Sequence, residues 1–191
     1  MNSVYVLGAA GAGKSTWVDA LFADAEWGHL EDLAAEPNAK NIVTLRGHPV
    51  YAPWGDWGMY LGVRRDSFPG TDGLDRASSP VGEKWLRSGP TTGFVIGEGA
   101  TLATRRFLGA LDEVTDLLLV HLYVDPEIGR QRFAERGSDQ DPSFVKATAT
   151  RSANRAAEIR QAGRAVVLNV DTADPDAWDL SLDLAQHHLA K

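Results

Sequence analysis

The sequence predicts an α/β fold, a three-layer sandwich built on a mostly parallel sheet. Four apolar runs, Val4-Tyr5-Val6-Leu7, Phe94-Val95-Ile96-Gly97, Leu117 to Val124 and Val166 to Val170, have the length and unbroken hydrophobicity of strands buried on both faces. Segments with apolar residues at helical spacing lie between them, so strands and helices alternate along the chain. The first strand also runs into a glycine-rich connection, Gly8-Ala9-Ala10-Gly11-Ala12-Gly13-Lys14-Ser15, that opens a helix.

Taken in order, the first strand covers about 3–7, and Trp17, Val18, Leu21, Phe22 and Ala25 mark a helix to about 26. Residues 31–41 are polar, contain a proline and read as a connection. Ile42 to Leu45, Val50 to Ala52 and Met59 to Val63 are short strands of a small meander, broken at Gly47-His48-Pro49 and at Gly55 to Gly58. A helix at 80–88 stops at Gly89-Pro90, and a second strand ends at Glu98-Gly99. A helix at 101–113 precedes the third strand. Asp125 caps a helix that Pro126 opens and that runs to Arg136. Residues 138–148 read as a polar connection, 150–162 as a helix, and 175–189 as the last helix, with Trp178, Leu182, Ala185 and Leu189 on one face. Trp17, Trp85 and Trp178 are assigned to the core. The whole chain, 1–191, is expected to be one domain, with an acceptor-binding insert at 42–78 and a lid at 130–156.

The Gly8–Ser15 segment has the glycine, lysine and hydroxyl spacing of a phosphate-binding loop. Successive backbone N–H groups of such a loop converge on phosphate oxygens, and the positive end of the following helix adds to them. Gly8, Ala10, Gly11, Ala12 and Gly13 supply the cradle, Lys14 reaches the outer phosphates, Ser15 can ligate Mg²⁺, and Thr16 helps with the inner phosphates. Glu98 follows a buried strand between two glycines. It can hold the metal through a water or accept a proton from an attacking hydroxyl. The two glycines are read as leaving room for a ligand. In a parallel sheet ligands lie beyond the carboxyl ends of the strands, so Gly8, Glu98, Asp125 and Asp171 should rim one crevice.

Arg132 and Arg136 are four apart, as are Arg151 and Arg155, and Lys146 lies between the pairs. Together they can close over a triphosphate and neutralise charge developing in transfer. The segment 64–73 is dense in charge and turn residues. Arg64 and Arg65 can hold a phosphate of the acceptor or of DNA, Asp66 or Asp72 a base or hydroxyl, and Phe68 and Thr71 complete that surface; Trp54 and Trp57 offer stacking faces. Thr172, after the last strand, is placed at the donor's base. The Asn-Lys-x-Asp signature of guanine readers is absent, which favours ATP as the donor. The five histidines show no metal-ligand spacing, and His187-His188 reads as a solvated helix end.

These motifs, Gly8 to Ser15, Glu98 and the arginines of 132–155, resemble those of P-loop kinases of the nucleoside and nucleotide kinase group. Within it, Phe68-Pro69-Gly70-Thr71-Asp72 with Val95 to Gly99 is similar to small bacteriophage kinases. That resemblance implies ATP and Mg²⁺ as cofactors, and as acceptor a nucleoside, a nucleotide or a hydroxymethylated pyrimidine in DNA. The chain lacks the Asp-Gly-Phe-Pro-Arg segment of ordinary nucleoside monophosphate kinases. A small-metabolite or sugar kinase of the gluconate-kinase or zeta-toxin kind, and an NTPase switch without a second substrate, are the competing expectations.

Bulk properties bound the possibilities further. A formal net charge of -7 argues against a broad basic surface for nucleic acid, and no cysteine is present. No apolar run is long enough for a bilayer, and the first strand begins at once. A cytoplasmic protein without a secretory leader is expected, in the host cytoplasm if phage-encoded.

Overall fold

The structure is a computed structural model that describes residues 1–38, 41–64, 73–135 and 141–191, the Phe133 side chain excepted. The elements follow in the order β1 (Asn2–Gly8), α1 (Lys14–Leu21), β2 (Glu26–Trp27), β3 (Glu31–Pro37), β4 (Ile42–Tyr51), β5 (Trp57–Leu61), α2 (Ser78–Arg87), β6 (Phe94–Glu98), α3 (Arg105–Val114), β7 (Asp116–Tyr123), α4 (Pro126–Glu135), α5 (Pro142–Ala162), β8 (Val166–Asp171) and α6 (Pro175–Leu189).

All eight strands form one sheet in the order β2-β4-β5-β6-β1-β7-β8, with β3 also paired to β4. β5, β6, β1, β7 and β8 are parallel to one another, and β4 alone runs against β5, β2 and β3. Alternation along each strand sends Val4, Val6, Ile96, Val120 and Leu122 to the α1 and α6 side. Tyr5, Leu7, Val95, Leu117 and Leu119 go to the side covered by α2, α3 and α5. β1 has β6 on one side and β7 on the other. The strand order reverses there, so the crevice at its carboxyl end is where this architecture accepts ligands.

The predicted α/β sandwich is present, with four differences in the elements. Residues 31–37 are a strand, not a connection. β3 sits at the sheet margin against β4 alone and stays largely exposed, so it carries no apolar signature. β4 runs straight through Gly47-His48-Pro49. A Cβ at Gly47 would lie 2.5 Å from the Tyr60 carbonyl oxygen, so glycine is required by close approach of the neighbouring strand rather than by a turn. α1 ends at Leu21 instead of 26. α5 begins at Pro142, eight residues earlier than the spacing suggested, because the Asp141 side chain caps the Ser143 N–H at 2.7 Å and proline takes the first turn.

Candidate active site

Strand β1 delivers the glycine-rich loop to the crevice. Gly11 and Gly13 take positive φ of 76° and 85°, the left-handed conformation that turns successive amides inward. Ala12 is fully buried and anchors the loop from below. Lys14 opens α1, and its Nζ donates to the carbonyl oxygens of Gly8 at 3.3 Å and Ala9 at 2.9 Å, so the ammonium lies across the loop. From the α5 side, the buried Thr148 hydroxyl accepts from the Ala10 N–H at 3.5 Å.

Two clefts flank this loop. One is lined by Gly13, Thr16, Arg132, Glu135, Thr172, Ala173, Pro175 and Trp178 and encloses about 450 Å³. Arg132 donates to the Thr172 hydroxyl at 2.8 Å and to its carbonyl oxygen at 3.0 Å, which ties α4 to the turn after β8. Arg132 therefore lies at the Thr172 end of the loop. Trp178, expected in the core, is only partly buried and lines this cleft. Helical spacing marked it as apolar, but it sits where the α6 face passes the loop. The second cleft, about 590 Å³, is lined by Gly8, Ala10, Lys14, Leu74, Arg76, Ala100, Thr101, Phe144, Thr148 and Arg151. Among the described residues three cations and no carboxylate line it, in a protein whose net charge is -7. Arg76 and Phe144 carry no motif, and spacing alone could not have found them.

Glu98 is buried, 1% exposed, at the end of β6. Its register partner is Val6, and parity puts its side chain on the face beneath α1. Tyr60 donates its hydroxyl to Glu98 Oε1 at 3.3 Å. Burial, and then the neighbouring Glu98 charge, push the Tyr60 phenol well above its ordinary value, so it stays a donor. The glycines around Glu98 also answer to packing, and Gly99 lines a small space beside Gly8 of the loop. A Cβ at Gly97 would lie 2.9 Å from the Tyr5 ring, and Gly99 turns at φ 95° while its carbonyl accepts from Tyr5 Oη at 3.1 Å.

The remaining expected residues scatter. Arg64 pairs with Asp19 of α1 at 2.9 Å and lies 3.7 Å from the centre of the Trp27 ring. Trp54 packs against Phe22 and Phe94, and Trp57 stands at the amino end of β5, remote from the crevice, so neither can stack there. Asp125 and Asp171 accept from the N–H groups of Glu127 at 2.8 Å and Ala173 at 2.9 Å, as turn and cap residues. Arg155 pairs with Glu158. His188 is buried and bonds the Asp116 carbonyl at 2.9 Å instead of facing solvent. Arg65, Asp66, Phe68, Thr71, Asp72 and Arg136 lie outside the described residues.

Mg²⁺ suits the donors present. A Ser15 hydroxyl at the first turn of α1 and a buried carboxylate beneath that helix are hard oxygen groups. Among the described residues no group of three or more acidic, histidine or cysteine side chains could hold an ion alone. A magnesium ion that shares its coordination with phosphates needs no such group. Among the described residues no helix is long and apolar enough to cross a membrane.

A parallel α/β sheet carrying this loop at its switch point defines a P-loop nucleotide-binding protein. The model of the P-loop nucleotide kinase3 family matches residues 1–185, and the chain belongs to that family. It is thus a kinase-type phosphotransferase by family. Among solved structures, an unliganded sugar kinase from Janibacter sp. HTCC2649 aligns over 99% of this chain and 94% of its own, at 14% identity and a TM-score of 0.39. A search of curated proteins found no match.

Proposed function

We propose that the protein transfers the γ-phosphate of ATP to a nucleotide-like acceptor that carries negative charge. The observation that carries this reading is the pair of clefts on either side of one phosphate loop. The cleft at Trp178 and Thr172 offers an indole face and backbone groups to the donor's base. The cleft at Arg76, Arg151 and Lys14 offers cations to the transferring phosphate and to a phosphate on the acceptor, and Phe144 offers an aromatic face to the acceptor's base.

In this assignment the loop amides and Lys14 hold the β- and γ-phosphates. Arg151 counters charge that develops on the transferring group. Mg²⁺, held by Ser15 and through Glu98, would supply further neutralisation. Glu98 serves the metal side, since it is buried beneath α1 and does not line the acceptor cleft. The expected acceptor residues Arg65, Asp66, Phe68, Thr71 and Asp72 belong to the stretch of sequence between β5 and α2, which begins beyond Arg64 and its pairing with Asp19.

The test is labelled ATP against nucleosides, nucleoside monophosphates, hydroxymethylated DNA and sugars. Phosphorylated acceptors should be the ones that consume ATP, and Lys14→Ala should reduce transfer by at least about 10³-fold. Preference for a neutral sugar would overturn the acceptor assignment. Hydrolysis indifferent to every acceptor would overturn transfer itself.

A further inference from the structure

Glu98 is held by more than its own strand. Tyr60 lies on β5 opposite Ile96 of β6, and its side chain reaches diagonally to the acid two residues on. The Tyr60 ring is itself wedged. Trp27 meets it edge-on, with ring centres 5.6 Å apart. The Arg64 guanidinium covers the other part of that assembly, 3.7 Å from the Trp27 ring centre, and pairs with Asp19. Asp19 stands one helical turn beyond Ser15 on α1. A continuous bracket therefore runs from the acid through Tyr60, Trp27 and Arg64 back to the helix that carries Lys14 and Ser15.

We infer that Tyr60 is a positioning residue, whose hydroxyl fixes the Glu98 carboxylate beneath α1, where Glu98 and Ser15 would together hold a nucleotide-bound divalent cation. This rests on the reading of Glu98 as the metal-side acid. The phenol is suited to the task. It donates a hydrogen bond to one carboxylate oxygen, its ring is almost fully buried, and burial excludes water that could replace it. A hydroxyl that fixes a carboxylate leaves little freedom to be lost when the cation arrives, so its contribution falls on the metal-bound state and not on nucleotide binding as such.

The test uses Tyr60→Phe, Glu98→Gln and the double variant, with a fluorescent ATP analogue titrated with and without magnesium, alongside kcat and KM for transfer. In Y60F the tightening of nucleotide affinity by magnesium should fall at least about fivefold, while the magnesium-free Kd changes less than about twofold. kcat should fall about tenfold with KM for ATP little changed. In the Glu98→Gln background, Tyr60→Phe should add less than a twofold loss in either quantity. Equal losses in both backgrounds, or equal weakening with and without magnesium, would reduce Tyr60 to a packing residue and overturn the inference. An unchanged magnesium effect in Y60F would do the same. If the wild-type protein transfers phosphate to no acceptor, the kinase reading fails, yet the affinity measurements still decide the role of Tyr60. Should Y60F not fold, Glu98→Asp draws the carboxylate back by one methylene and should produce the same loss of magnesium dependence. Its absence there also overturns the inference.

Discussion

An alanine at Gly97 would push its Cβ to 2.9 Å and 3.1 Å from two atoms of the buried Tyr5 ring. Neither partner can yield without moving the end of β6, where Glu98 is placed. Overpacking of this kind costs about 1–3 kcal/mol. Denaturant melts of Gly97→Ala should record a loss in that range, and an unaltered midpoint would mean the strand end is softer than the packing implies. Residue by residue, the sequence revealed what rests on chemistry local in the chain. Lys14 and Ser15 follow a glycine spacing, and Glu98 follows an apolar strand. Trp178, Arg76 and Phe144 were illegible because their relevance comes from which elements meet. An indole at helical spacing looks the same whether its face meets a core or a cleft. Arg64 was legible as a cation, while its contacts with Asp19 and Trp27 were not, since both are distant in sequence.

Among the elements, α3 and α5 are tied by Glu158, which pairs with both Arg105 and Arg155. Those guanidinium groups, Arg105 first, draw the Glu158 carboxyl down to about 2. A carboxyl lowered on folding contributes stability above its ordinary value, and loses that contribution as pH falls through its folded value. The difference in melting temperature between the wild-type protein and Glu158→Gln should therefore be full at neutral pH, shrink below about 4.5 and vanish near about 2. A constant difference across that window would show that Glu158 acts by packing alone. Solvent reaches roughly a third of this side chain, so the effect will be modest. The early start of α5 and the strand β3 were hidden for related reasons. Both expose most of their side chains, so neither imposes a periodic apolar pattern on the sequence.

At the scale of the molecule, the alternation of buried strands and helices was readable because both faces of β1, β6 and most of β7 are covered and those strands must be apolar. At the sheet margin β4 and β5 were readable as a meander, broken at Gly47-His48-Pro49, while β2 and β3 were not readable as strands, since a sheet margin tolerates glycine, proline and charge. The fold places its loop where nucleotide binding should stabilise the folded state alone. ATP with Mg²⁺ at one hundred times its Kd should add about 2.7 kcal/mol, which for a chain of 191 residues is a rise of about 5–10 °C in Tm. Differential scanning fluorimetry checks this, and Lys14→Ala should remove most of the rise.

The burial of α5 is lopsided. Its inward side chains, Thr148, Ser152, Ala156 and Ile159, all come from the later turns, while Pro142 to Ala147 reach out with Phe144 52% exposed. Thr148, the first buried residue of α5, is also the one whose hydroxyl rests on the loop amide of Ala10. A ligand lying between Lys14 and Phe144 would therefore sit against the part of α5 that the rest of the protein covers least.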